Sequence, residues 1–155
     1  MPGLEDLYRE IILDHYRTPR NRGELPVPPA RHAEGHNPLC GDEITIFIDV
    51  NEVDGVEVIS DVKISGQGCS ISQSSASMMS AAAKGRPVPE VRALVRKFKG
   101  MMSIDTGGGE PTIDVPLGDL EALQGVVKFP VRIKCATLAW NTLLEALDSP
   151  VASDT

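Results

Sequence analysis

Apolar residues recur in two rhythms along this chain, and each change of rhythm marks an element. Leu4, Leu7, Tyr8, Ile11, Ile12 and His15 fall at helical spacing, which predicts an amphipathic helix ended by Pro19. The proline-rich stretch from Thr18 to Leu39 reads mostly as loop, with room for one short strand. Ile44, Ile46, Ile48 and Val50 then alternate with Glu43, Thr45, Phe47 and Asp49, the signature of a strand with one buried face. Asn51 to Gly55 reads as a turn. Val56, Val58, Val62 and Ile64 form a returning antiparallel strand with a bulge near Ser60. Gly66-Gln67-Gly68 stops it.

From Cys69 to Lys84 the chain is rich in Ser, Ala and Met and ends at Gly85, which predicts a tightly packed helix closed by a glycine just past its end. Its small residues allow another backbone to come close. Pro89 opens a further helix whose apolar face is Val91, Leu94, Val95, Phe98 and Met101. Ser103 to Pro116 contains three consecutive glycines and reads as a mobile insertion. A short helix is expected over Leu117 to Leu123, and Phe129-Pro130 leads into a last helix from about Cys135 to Leu147. The expectation is an α+β domain spanning 1–155, a small antiparallel sheet of about three strands packed with helices.

Composition narrows the function classes. Only 4% of the 155 residues are aromatic, so the core must rest on aliphatic residues, Ala and Met. No apolar run approaches the ~20 residues of a membrane span. Met1-Pro2-Gly3-Leu4-Glu5-Asp6 has none of the basic and apolar character of a signal peptide, so the expected location is cytoplasmic. The net charge of -7 argues against a nucleic-acid partner, which needs a basic face. The clusters Arg17, Arg20, Arg22 and Arg92, Arg96, Lys97, Lys99 read as solvated faces or at most part of a protein docking surface.

The chemistry is concentrated in three cysteines: Cys40 in Asn37-Pro38-Leu39-Cys40-Gly41-Asp42, Cys69 in Gly66-Gln67-Gly68-Cys69-Ser70-Ile71-Ser72, and Cys135 in Lys134-Cys135-Ala136. An odd count in a chain of this character turns attention from disulfides to metal binding or thiol chemistry. Each cysteine sits at an element boundary, where distant segments can converge. Cys69 and Cys135 stand at expected helix starts, where free amides and the helix dipole favour a thiolate. With Asp42, the three thiols form a four-ligand set suited to tetrahedral zinc. Arg132 and Lys134 are the nearest cations in sequence that could offset its negative charge. The plain alternative is a small buried hydrophobe, and for Cys135, within Ala-Thr-Leu-Ala, that alternative is the better one on local context alone. Asp42 also suits a simple turn, and the cysteine spacing matches no zinc-finger template.

The same residues resemble a known family. Leu7-Tyr8-Arg9-Glu10-Ile11-Ile12-Leu13-Asp14-His15-Tyr16 with Pro19-Arg20-Asn21, and the three cysteine motifs in order, look like the IscU-type iron–sulfur cluster assembly proteins over nearly the whole chain. Lys134 stands where the scaffold branch has a histidine, and a segment from roughly Val88 to Pro116 lengthens the gap between the second and third cysteines. Both features resemble the SufU-type branch. The resemblance implies an IscU/SufU-like fold and a zinc-dependent sulfurtransferase with zinc on Cys40, Asp42, Cys69 and Cys135. It implies that Cys40 takes persulfide sulfur from a SufS-type cysteine desulfurase, once a histidine of that enzyme displaces it from zinc, and relays it to the Suf scaffold complex. Two other readings stand beside it: a scaffold assembling a [2Fe–2S] cluster on the same four residues, and a structural zinc-binding module. A zinc hydrolase fits least, since His15, His32 and His36 show no metalloprotease spacing.

Overall fold

The computed structural model describes residues 4–26, 30–37, 41–102, 118–128 and 130–148. The elements run in the order α1 (Leu4–Arg17), β1 (Arg31–Asn37), β2 (Asp42–Val53), β3 (Val56–Gln67), α2 (Ser70–Ala83), α3 (Val88–Met101), a 3₁₀ helix (Gly118–Lys128) and α4 (Pro130–Asp148). The three strands form one antiparallel sheet in sequence order, the α+β architecture that the patterning predicts.

The β2–β3 hairpin follows from its residues. Ile44, Ile46 and Ile48 bury one face, and Asp54-Gly55 closes the turn with positive φ at both positions (52° and 81°), the mirror-image turn that matches strand twist. The expected turn is therefore shorter than Asn51 to Gly55, because the strands continue pairing to Val53 and Val56. Asp49 faces Asp61 and Val50 faces Ile59, which leaves Ser60 as the extra residue of a bulge. The bulge shifts the alternation so that Ile59 and Val62, three apart, both reach the core. Ser60 Oγ donates to the Asp49 carbonyl at 3.0 Å and fixes the kink.

Strand β1 is the element the pattern shows least clearly. It contains no β-branched residue, yet it pairs along its whole length with β2, from Arg31 opposite Ile48 to Asn37 opposite Asp42. Helix α4 explains the composition. It lies so close to β1 that a Cβ at Gly35 would collide with Thr142 Oγ1, so at this point the inner face of the strand has no room for a side chain. His32 and His36, expected in a loop, lie on this strand, and His32 stacks on Phe47 with ring centroids 5.9 Å apart.

Helix α4 is the hub. It packs on α2, β1 and β2, and Trp140 is fully buried on it, stacked on Phe98 of α3 at 4.4 Å. Ser75 of α2 donates to the Ala136 carbonyl at 2.5 Å and accepts from Trp140 Nε1 at 3.0 Å, so the serines of α2 permit the close approach its composition suggests. On its other side, His15 of α1 is 3% exposed and bonds through Nδ1 to Ser77 Oγ at 2.8 Å, the packed role expected of it. Helix α4 begins at Pro130, five residues before the expected start near Cys135. Proline suits the first helical position because its missing N–H has no partner there anyway. The expected short helix at Leu117 to Leu123 is a 3₁₀ helix over Gly118–Lys128. The expected insertion at Ser103 to Pro116 lies outside the described residues.

Candidate metal centre

The sheet register gathers one end of the molecule. Asn37 ends β1 opposite Asp42, which starts β2, and Glu43 pairs with Gln67 at the end of β3. The chain then turns through Gly68 and Cys69 into α2. Asp42 and Cys69, 27 positions apart, are thereby neighbours: the Cys69 N–H donates to Asp42 Oδ1 at 2.8 Å, and Cys69 Sγ lies 4.0 Å from Asp42 Oδ2.

Glycines make this approach possible. A Cβ at Gly68 would sit 2.5 Å from Asp42 Oδ1, and Gly66, at φ 124°, lies where a Cβ would run into the Glu43 carbonyl. Gly68 thus makes room for the carboxylate, and Gly66 for the backbone of β2.

Cys69 caps α2. Its backbone is extended (φ −70°, ψ 170°) and its sulfur accepts the Ser72 N–H at 3.4 Å. The thiol therefore stands at the positive end of the helix, as its position before a helix predicts. It is half-buried. Cys135 is placed differently from the expectation. The early start of α4 at Pro130 puts it in the second turn rather than at the helix start, so free end amides do not surround it. It is 0% exposed, and its sulfur accepts from Asn37 Nδ2 at 3.7 Å.

Asp42, Cys69 and Cys135 each offer one ligand atom, and these atoms lie within 4.8 Å of one another. Among the described residues no other set of three such side chains gathers this way. Two thiols and a carboxylate form a donor set that suits zinc. The carboxylate itself argues for a cation: Asp42 is 0% exposed, and among the described residues no salt bridge reaches it. A buried anion without a counter-charge is expensive, and a metal held by these three residues would neutralise it.

Cys40 lies in 38–40, outside the described residues; the flanking Asn37 and Asp42 both stand at the centre. Arg132 and Lys134 are exposed, three and one positions before Cys135 on α4. In the sequence Asn37 stands out only as the first residue of the Asn37-Pro38-Leu39-Cys40-Gly41-Asp42 motif. The available signal was a polar residue at the inner, helix-facing end of a strand, but it needs the register to be read.

The sequence pattern of the family described as NifU-like N terminal domain matches residues 7–136. The zinc-dependent sulfurtransferase SufU of Bacillus subtilis is 45% identical over 141 residues, covering 91% of this chain and 89% of that protein. The iron–sulfur cluster assembly scaffold protein IscU of Streptococcus pyogenes is 40% identical over 144 residues, covering 93% and 84%. The crystal structure of an iron–sulfur cluster assembly scaffold protein for the SUF system from Fervidobacterium islandicum superposes with a TM-score of 0.74 at 32% identity, over 94% of this chain and 100% of that one. A 130-residue family match, relatives aligned nearly end to end and a shared fold agree: the chain belongs to the NifU-like N-terminal domain family, in its IscU/SufU-type group.

Proposed function

We propose that this chain is a zinc-bound sulfur acceptor in iron–sulfur cluster assembly, a sulfurtransferase that takes sulfur from a SufS-type cysteine desulfurase and relays it to the Suf scaffold complex. The observation that carries the reading is the convergence of Asp42, Cys69 and Cys135 within 4.8 Å around a buried carboxylate. In this reading the ligands are Cys40, Asp42, Cys69 and Cys135. Zinc would hold the thiols as thiolates and, having no redox chemistry of its own, would leave a persulfide intact. Arg132 and Lys134, exposed on α4, would offset part of the negative charge of the set. The similarity to a relative named as a zinc-dependent sulfurtransferase supports the same assignment. The reading places the protein's work in the cytoplasm; no helix among the described residues is long and apolar enough to cross a membrane.

The protein's own chemistry is thiol–persulfide exchange. The Cys40 thiolate attacks the outer sulfur of the persulfide on the desulfurase. A sulfur–sulfur bond forms on Cys40, the enzyme's sulfur–sulfur bond breaks, and the enzyme's cysteine leaves as a thiolate. The electrons balance without an external oxidant. Asp42 and Cys69 remain joined through the Cys69 N–H, and Cys135 stays buried on α4. Mass-spectrometric mapping after incubation with the desulfurase and cysteine tests this step. One added sulfur on Cys40 is expected; its appearance only on Cys69 or Cys135 would contradict the assignment.

A second reading has a specific observation behind it. Relatives 40% and 38% identical are named as IscU scaffolds, so the same residues could carry a [2Fe–2S] cluster. Lys134 weighs against it at the position next to Cys135, since a protonated lysine is a poor ligand. Visible absorbance after anaerobic loading with iron and sulfide separates the two.

A further inference from the structure

Asn37 stands where three parts of the centre meet. It is the last residue of β1 and faces Asp42 across the sheet. Its side chain is 6% exposed, and its amide nitrogen reaches the Cys135 sulfur at 3.7 Å, across 98 positions of sequence. The contact is built by packing. Gly35, two residues earlier on the same face, lets α4 lie close enough that a Cβ there would meet Thr142 and, at 3.2 Å, Leu138 Cδ1. That approach delivers Cys135 to the end of β1.

The three described donors differ in how they are held. Cys69 caps a helix and is half-buried. Asp42 is fixed by a backbone amide. Cys135 is fully buried, and a side-chain amide is directed at its sulfur. An N–H bond to a neutral thiol is weak, whereas one to a metal-bound thiolate is charge-assisted and stronger. The donor is therefore worth most when the centre is loaded. Partners that orient a metal ligand in this way commonly govern affinity.

We propose that Asn37 is a positioning residue of the metal centre. Its amide holds the Cys135 sulfur in place and makes Cys135 a fixed ligand of the centre. The inference rests on the reading of Asp42, Cys69 and Cys135 as metal ligands.

The test compares the full chain with Asn37→Leu, which keeps the shape and removes the donor, and Asn37→Asp, which places a carboxylate oxygen at the donor position. Zn²⁺ and Co²⁺ alone are the probes. The expected result for both variants is a loss of zinc affinity of about tenfold or more and a shifted sulfur-to-cobalt charge-transfer band. The unfolding midpoint should fall more in the zinc-loaded than in the metal-free protein. A merely structural asparagine would lower both midpoints alike. Zinc affinity within about twofold of the parent chain, with an unmoved cobalt band in whichever variant folds, would overturn the proposal; about tenfold is the change expected of such a partner. The two readings fail separately. A parent chain that binds zinc tightly but accepts no sulfur defeats the functional proposal and leaves Asn37 standing. A parent chain that accepts sulfur, beside variants with parental zinc affinity, defeats Asn37 alone.

Discussion

A methyl group at position 68 would stand 2.5 Å from Asp42 Oδ1, the same oxygen that accepts the Cys69 N–H. Gly68→Ala must therefore move the carboxylate, the amide or both. Zinc content measured on the purified variant should fall well below that of the parent, with an affinity loss of about tenfold or more. The hydrogen bond to Asp42 should be lost as well, costing about 1–3 kcal/mol if the amide is left buried without an acceptor. Unchanged zinc content would mean that Asp42 is not held as described. The cysteine contexts were open to the sequence at this scale. Cys69 after Gly-Gln-Gly reads as a helix start because that signal is local, and the structure has it capping α2 by accepting the Ser72 N–H. Gly68 and Asn37 were not open in the same way. What each does depends on which residue lies across the sheet or on α4, and no local pattern encodes that register.

Helices α2 and α4 carry Cys69 at the N-cap of one and Cys135 in the second turn of the other, so their spacing sets the distance between the two sulfurs. Ser75 locks that spacing by donating to the Ala136 carbonyl and accepting from Trp140 Nε1. Ser75→Ala leaves the indole N–H buried without an acceptor and should cost about 1–3 kcal/mol. The fluorescence of Trp140, the single tryptophan, reports this directly in a urea titration; an unmoved midpoint would show that the link is dispensable. The small residues of α2 announced a close neighbour in the sequence. Strand β1 did not announce itself, because its hydrogen bonds come from β2 and its bare inner face at Gly35 from α4, both tertiary effects that override local propensity. The bulge at Ser60 was legible because it is written into the spacing of apolar residues along one strand. The start of α4 is ambiguous in the sequence, because a proline suits both the approach to a helix and its first position, and here Pro130 is the first helical residue.

At the scale of the whole molecule, the centre joins β2, the β3–α2 turn and α4, and so ties the sheet to its helices. Metal that binds the folded chain and not the unfolded one must stabilise it, by about 4 kcal/mol when free zinc exceeds its dissociation constant a thousandfold. Chelation should lower the thermal midpoint and added zinc restore it; a midpoint indifferent to chelator would place the metal outside the fold's energetics. The α+β architecture was legible from hydrophobic rhythm, and the family from three motifs in order. Three of the four expected ligands could be followed into the structure, where Asp42, Cys69 and Cys135 meet at one end of the sheet.

The central claim is that this chain accepts sulfur, and the most direct measurement is alanine release by a SufS-type cysteine desulfurase with and without the zinc-loaded protein. The account predicts a large rise in turnover when the chain is present, and loss of that rise on Cys40→Ala. No rise, with zinc confirmed in the sample, would contradict it.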